Sequence, residues 1–365
     1  MTAHGTGEKI SAVDLTEIRR AVDSELEEFL RRKLRAAAGH RLPPEAPETL
    51  HRFLFAGGKR LRPLLCVVGW HAAAKAGDRM HPGVCRAAAA LEMFHAFALV
   101  HDDIMDRSDT RRGQPTVHRA LAARHGGGRD RADRAHLGVS AAILVGDLAL
   151  CWSDELLHTA GLPAERLLAV LPVIDSMRSE VMYGQYLDLL ASGKPAGDLE
   201  TPLEVIRYKT AKYTVERPLH VGAVLADADP RVLAACTDFA MPLGEAFQLR
   251  DDLLGVFGDS ARTGKSHLDD LREGKHTVLL ALAVQRADSR QREALDALVG
   301  DPGLTDDDAR SIREILVATG ARDRVEEMIR TRRDHARRVL DHAPFSADAV
   351  AALRGIADSA TRRVA

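Results

Sequence analysis

The most apolar run in this chain ends abruptly in acid. Residues 87–100, AAAALEMFHAFALV, are followed at once by His101-Asp102-Asp103-Ile104-Met105-Asp106. A second apolar stretch, MPLGEAFQL at 241–249 with Gln248 near its end, leads to Asp251 and Asp252, 149 positions after Asp102. On a helix, residues three and four apart share a side, so Asp102 and Asp103 both converge with Asp106. Like charges at that spacing repel unless a cation or solvent relieves them. One such cluster is ordinarily a solvated helix end. Two of them facing each other make a wet, acidic rim on an apolar cavity, and that demand governs how long helices can be arranged.

The rest of the sequence supplies the helices. Ala and Leu are abundant while aromatics are 4%, which favours an all-α chain over one filled with strand formers. Leu167, Leu171, Ile174, Met177 and Val181 step by three or four, and the same face continues to Gln185 and Asp188, where the helix leaves the core at something wet. Pro172, Pro218 and Pro242 lie inside helical stretches and predict kinks or restarts. The Gly-rich, charged segment 125–136 reads as an exposed loop. By length the prior is roughly two domains, but no Pro/Gly/Ser linker separates two cores. The expected layout is a flexible segment at 1–12 and a single all-helical domain over 13–365.

Charge and cysteine content exclude several classes. A net charge of −2 argues against nucleic acid as partner, which normally needs a clear basic excess. Cys66, Cys85, Cys151 and Cys236 have no CxxC or Cys/His ligand spacing, so they read as small buried hydrophobes in a reducing compartment. No apolar signal core opens the chain, and the apolar stretches carry charge or His. A cytoplasmic protein without stable membrane insertion is expected.

Hard carboxylate oxygens suit Mg²⁺ and leave room for substrate phosphates. Basic motifs alternate with them. Gly57-Gly58-Lys59-Arg60-Leu61-Arg62-Pro63 joins two glycines, which let backbone amides approach an anion, to a cluster of cations. Asp109-Thr110-Arg111-Arg112-Gly113-Gln114-Pro115 is a turn with paired guanidiniums. Lys209-Thr210, Lys265 and Lys275 follow, and Lys59, Lys209, Lys265 and Lys275 are four of only nine lysines. Mg²⁺ between carboxylates and phosphate oxygens makes diphosphate a workable leaving group. If it departs from an allylic carbon, the cation left behind needs a water-excluded pocket. Two sets of cations beside two sets of carboxylates suggest two diphosphates side by side.

These residues resemble the trans-isoprenyl diphosphate synthases, most closely the geranylgeranyl type. The resemblance rests on GGKRLRP (57–63), EMFHAFALVHDDIMDRSDTRRGQPTVH (92–118), GQYLDL (184–189), Lys209-Thr210, and FQLRDDLLGVFGD with TGK and GK (247–275), in the expected order. It implies a single large helical bundle around a central apolar cavity, usually a homodimer. It implies a prenyltransferase that condenses isopentenyl diphosphate head to tail with an allylic diphosphate. Asp102, Asp106 and Asp251 would hold three Mg²⁺, with Asp103 and Asp252 supporting the metal shell. Arg111, Lys209, Thr210, Gln248 and Lys265 would serve the allylic diphosphate. Gly58, Lys59, Arg62, His95 and Arg112 would form the isopentenyl diphosphate site. One departure is Gly255 where the family often has a third Asp, with Asp259 one turn further on; another is the weak basic tail at 362–365.

Product length depends on the cavity floor. Phe97 and Ala98 lie five and four residues before Asp102, and one aromatic beside one Ala is close to the geranylgeranyl pattern. Alternatives are a farnesyl or longer-chain synthase, a class I terpene cyclase, and a regulatory subunit. A cyclase has no need of GGKRLRP, and a subunit could dispense with the carboxylates.

Overall fold

Side-chain caps explain where many of the helices begin. The structure is a computed structural model that describes residues 13–75, 77–125, 127–128, 130–193, 195–258 and 268–361; the flexible segment expected at 1–12 lies outside them. Asp14 accepts from the backbone N–H of Thr16 and Glu17 and opens α1, Leu15–Gly39. There follow α2 (Glu45–Phe55), α3 (Leu61–Ala73) and α4 (Gly83–Met105), then a two-stranded hairpin, Thr110–Arg111 with Gln114–Pro115. Next come α5 (Val117–His125), α6 (Arg131–His158), α7 (Ala164–Ala191) and α8 (Glu200–Val205). A π-helical segment, Ile206–Glu216, passes directly into α9 (Arg217–Leu225), and α10 spans Pro230–Phe257. The C-terminal part contains α11 (Asp269–Arg272), α12 (Val278–Arg286), α13 (Ser289–Leu298), α14 (Asp306–Ala318), α15 (Ala321–His342) and α16 (Ala347–Thr361). The chain is all-α, as its composition predicts.

The loop and the cysteines need correction, and of the three prolines one marks a restart. The loop read at 125–136 is short, because the Asp130 side chain accepts from Asp133 N and starts α6 at Arg131. Pro172 and Pro242 lie within continuous helices, α7 and α10; only Pro218 marks a restart, in the first turn of α9, where a missing N–H is least costly. Among the cysteines, Cys66 and Cys236 are buried, but Cys85 is half-buried and Cys151 exposed.

Three apolar clusters form the core. One joins α1 to α7 through Leu26, Leu50, Leu91, Phe94 and Ile174. A second gathers Leu249, Leu253, Leu282, Ile312 and Val325; a third gathers Leu65, Leu219, Phe239 and Leu353. Helix α10 supplies the last two clusters from successive turns, which holds its acidic end firmly. Each fully buried Leu or Phe contributes roughly 1.5–3 kcal/mol relative to exposure.

Among the described residues, two helices, α4 and α6, have the length and hydropathy of a membrane span. In α4 that window is mostly buried within the core, whereas 28% of the α6 window is. Helix α6 therefore presents Ile143, Leu144 and Leu148 outward, and α7 presents Met182, Tyr183, Tyr186 and Leu190.

Candidate active site

Helix α4 ends at the first acidic cluster, and a tight hairpin folds back onto it. Arg112 and Gly113 form the hairpin's two-residue loop with φ of 54° and 72°, the geometry of a type I′ turn. This turn sends its two arginines to different partners. Arg111 Nε donates to Asp103 Oδ1 and Oδ2 at 2.7 and 2.9 Å, and its Nη2 lies 3.5 Å from Asp102 Oδ2. Arg112 Nη1 donates to the carbonyl of Gly57. Gly58, at φ 131°, lies so near that a Cβ there would stand 2.9 Å from Arg112 Nη2. The GGKRLRP and RRG motifs thus meet.

Asp103 has no exposed surface, and its carboxylate is turned onto Arg111. The sequence grouped it with the metal shell; the fold gives it the task of holding a guanidinium beside Asp102. The physical reason is helical: Asp103 sits one position round from Asp102, on the face that the hairpin covers.

The π-helical segment carries Lys209 and Thr210 between the two acidic helices. A π turn is wider than an α turn, and glycines on both flanks admit it. A Cβ on Gly184 of α7 would stand 2.6 Å from Lys209 N, and one on Gly244 of α10 would stand 2.4 Å from Ala211 Cα. Lys209 Nζ donates to Asp102 Oδ1 at 3.0 Å and to Asp188 Oδ2 at 2.7 Å. Thr210 Oγ1 donates to Gln248 Oε1 at 2.7 Å, and Gln248 Nε2 donates to Asp252 Oδ1 at 2.8 Å. Lys275 Nζ lies 4.0 Å from the same oxygen. A cleft between α7, α8, the π-helical segment and α10 is lined by Asp188, Lys209, Thr210, Gln248, Asp252 and Lys275.

Burial and charge act in opposite senses along this rim. Burial would raise the Asp102 carboxyl, but Lys209 and Arg111 overcome it and hold the group below its ordinary range. Asp106 is pushed up to about 7 by burial and by the neighbouring Asp102 charge. Burial likewise raises Asp252 to about 6, against Lys275 and the Gln248 hydrogen bond. Lys209 and Lys275 stay charged despite burial, Lys209 chiefly through Asp102 and Asp188 and Lys275 chiefly through Asp270 and Asp252. Among the described residues, no three Asp, Glu, His or Cys side chains converge as a ready cage. Separate carboxylates fit Mg²⁺, which keeps several waters and binds through one or two carboxylates plus substrate phosphates. Beside this rim, one buried oxygen, Asp188 Oδ1, lacks a hydrogen-bond partner among the described residues.

The basic half is built differently. Arg60 is buried and fully used, donating to Asp23 at 2.7 Å, Glu92 at 2.9 Å and the Leu54 carbonyl at 2.7 Å. It anchors the motif and leaves its neighbours available. Lys59 Nζ lies 5.4 Å from the Phe247 ring centroid, and Arg62 Nη2 donates to Thr214 Oγ1 at 2.6 Å. His95 Nδ1 lies 3.3 Å from the Tyr213 hydroxyl. Burial, with Arg62, Arg112, Arg111 and Arg60 nearby, lowers His95 well below the ordinary imidazole range and keeps it neutral. None of Lys59, Arg62 and Arg112 makes an ion pair with a carboxylate among the described residues.

Gly255 has a structural explanation. A Cβ there would stand 2.1 Å from Asp270 Oδ2 of α11, so a carboxylate from elsewhere occupies the space beside the missing third Asp. Lys265 and Asp259 lie outside the described residues, as do residues 362–365. Asp251 is placed on α10 beside Asp252, and Gln185 reaches Met105 Sδ at 3.6 Å. The Phe97 ring packs tilted against neighbours on its own helix, 5.2 Å from Phe94 and 4.7 Å from His101 between ring centroids. Ala98 shares the helical stripe of His95 and Asp102. The sequence marks Asp188 as an inward-facing polar position and Lys275 as a lysine of the last basic motif but gives neither a partner, and it does not single out Tyr213 or Asp270. The spacing of Tyr213, four after Lys209, was a usable signal; for Asp270 only the fold supplies one.

Comparison with known proteins agrees with this geometry. The polyprenyl synthetase family model matches residues 44–316. A geranylfarnesyl diphosphate synthase from Aeropyrum pernix is 34% identical over 292 residues, 79% of this chain and 85% of that protein. A geranylgeranyl diphosphate synthase from Sulfolobus acidocaldarius is 30% identical over 275 residues, 75% of this chain and 77% of that protein. Among solved structures, a geranylgeranyl pyrophosphate synthase from Corynebacterium glutamicum, complexed with isoprenyl diphosphate and magnesium, superimposes with a TM-score of 0.90. It is 42% identical, and the match covers 96% of this chain and all of that one.

Proposed function

The chain belongs to the polyprenyl synthetase family, and from that premise we propose that its product is geranylgeranyl diphosphate. It is a trans-prenyltransferase that joins isopentenyl diphosphate head to tail to an allylic diphosphate (dimethylallyl, geranyl or farnesyl) and releases diphosphate. One observation carries the assignment of sites: the cations divide around a single segment. Lys209 and Arg111 are paired with the carboxylates Asp102, Asp188 and Asp103, whereas Lys59, Arg62 and Arg112 pair with no carboxylate among the described residues. The first set suits a diphosphate held with metal, the second a diphosphate held without it.

Asp102 and Asp106 on α4 and Asp251 on α10 would hold Mg²⁺, three ions in our reading, with Asp252 supporting through Gln248. When bound, Mg²⁺ supplies Lewis-acid neutralisation of the leaving diphosphate. Arg111 and Lys209, with Lys265, add positive charge where that group gains negative charge. Thr210 and Gln248 border the same cleft. Gly58, Lys59, Arg62, His95 and Arg112 hold isopentenyl diphosphate. The departing diphosphate can accept the proton lost by the new product, so no side chain is needed as base.

The twenty-carbon product follows from Ala98, which is small and lies one turn beneath Asp102. The same small side chain supports a longer product as second reading, and one similar protein is a geranylfarnesyl diphosphate synthase. The outward apolar faces of α6 and α7 are assigned to a second copy of the chain, giving a homodimer. The test is purified protein with Mg²⁺, labelled isopentenyl diphosphate and each allylic primer in turn. A twenty-carbon diphosphate is expected. A product of another length overturns the length assignment, and a cyclic hydrocarbon from one diphosphate overturns the reading of two diphosphate sites.

A further inference from the structure

Tyr213 is a buried phenol in the π-helical segment, and its neighbours are the groups assigned to isopentenyl diphosphate. The Arg62 guanidinium lies 4.2 Å from its ring centroid. The His95 ring lies 6.0 Å away, and the Tyr213 hydroxyl is 3.3 Å from His95 Nδ1. Phe94 meets the ring edge-on at 5.9 Å and closes the apolar side. Next along the chain, Thr214 Oγ1 accepts from Arg62 at 2.6 Å. Arg62 Nε is buried with no hydrogen-bond partner among the described residues.

We propose that Tyr213 is the positioning residue of the isopentenyl diphosphate site: its ring seats Arg62, and its hydroxyl donates to His95 Nδ1 so that His95 presents Nε2–H to the diphosphate. The inference rests on the assignment of Arg62 and His95 to that substrate. A neutral imidazole has one donor and one acceptor, and the partner of one nitrogen decides the state of the other. Burial pushes the Tyr213 phenol up to about 12, so it retains its proton at neutral pH and can donate it to a hydrogen bond. A histidine so fixed offers a donor where phosphate oxygens need one; the opposite tautomer would turn a lone pair toward an anion. The ring restrains the guanidinium through its face and consumes none of its N–H groups. Arg62 is thereby oriented, and apart from the Nη2 bond to Thr214 its terminal donors remain for phosphate.

The location adds a second consequence. Lys209 and Thr210 lie on the same segment and touch Asp102 and Gln248. Tyr213 therefore ties the position of the second substrate to the element that bears on the first. The glycines at 184 and 244, which admit the wide helix, serve this spacing.

Steady-state kinetics of the full-length protein with both substrates varied tests the proposal. Tyr213→Phe keeps the ring and removes the hydroxyl. It should raise KM for isopentenyl diphosphate by roughly three- to tenfold, the worth of one hydrogen bond, with kcat and the allylic KM nearly unchanged. In a His95→Ala background the same substitution should add nothing, because the hydroxyl acts through His95. Tyr213→Leu, which also removes the seat of Arg62, should raise that KM further than Tyr213→Phe. Equal effects of Tyr213→Phe on both KM values, or additivity with His95→Ala, overturn the positioning role. If Arg62→Ala and His95→Ala leave the isopentenyl KM normal, the site assignment itself falls and this proposal with it. If those two variants are impaired while Tyr213→Phe and Tyr213→Leu are normal, the proposal alone falls. Melting curves of each variant separate a binding defect from a folding one.

Discussion

The two acidic ends, α4 with Asp102 and α10 with Asp252, look alike in sequence and are completed in different ways. At α4 the third acid, Asp106, caps the same helix that carries Asp102, and burial together with the Asp102 charge raises it to about 7. At α10 the corresponding position is Gly255, and Asp270 arrives from α11 instead. The cations differ as well: Lys209 contacts Asp102 directly at 3.0 Å, while Lys275 stands 4.0 Å from Asp252. The first cluster keeps its acids within residues 102–106 but takes its lysine from 107 positions away; the second takes both its third acid and its lysine from the segment that follows α10. A motif that departs from its family pattern can therefore keep its charge when the fold supplies the group from another helix.

Substitutions can break this contrast. The largest effect is expected from Asp102→Ala, on the order of 10³-fold or more in kcat, with the helical circular dichroism unchanged. Near-normal turnover would remove the metal assignment at α4. Next is Asp103→Ala, which removes the two-oxygen partner of the buried Arg111 guanidinium and leaves it, among the described residues, only the 3.5 Å contact with Asp102. Urea unfolding should show a loss of about 3–5 kcal/mol, and a smaller change would mean that Arg111 finds another partner.

Gly255→Asp restores the family's acid on paper and should fail in practice. Overpacking against Asp270 is expected to cost about 1–3 kcal/mol of stability, with lowered turnover. Gly255→Asp combined with Asp270→Ala should recover much of both, since the carboxylate is only moved. If the single variant were as stable and active as the parent, Asp270 would not be the substitute for a third acid. The mildest change is Ala98→Phe, with little effect on stability and a shift toward a shorter product by chromatography. An unchanged product length would show that the pocket floor lies elsewhere.

Much of the helical architecture was legible because its causes are local. Asp14, Asp288 and Thr305 cap helices within three residues of themselves, and apolar spacing marks the buried faces. The glycine run before Asp130 hid a similar cap, so the start of α6 was read as loop. Most of the candidate site was also legible, since Asp102, Lys209, Gln248 and Asp252 lie in recognisable motifs. What escaped were relations among motifs: Arg111 and Arg112 are adjacent in sequence but serve opposite halves, and Tyr213 looks like one more core aromatic until Arg62 and His95 are seen against it.

Sequence alone settled that the chain is helical, that acid and base alternate along it, and that the family is one acting on diphosphates, because these depend on spacing within a few turns. Tertiary structure decided which carboxylate meets which cation, where a wide π turn fits, and why Gly255 is glycine. Those outcomes depend on which helices approach at ångström range, and residues far apart in the chain acquire that relation only when their shared core is packed.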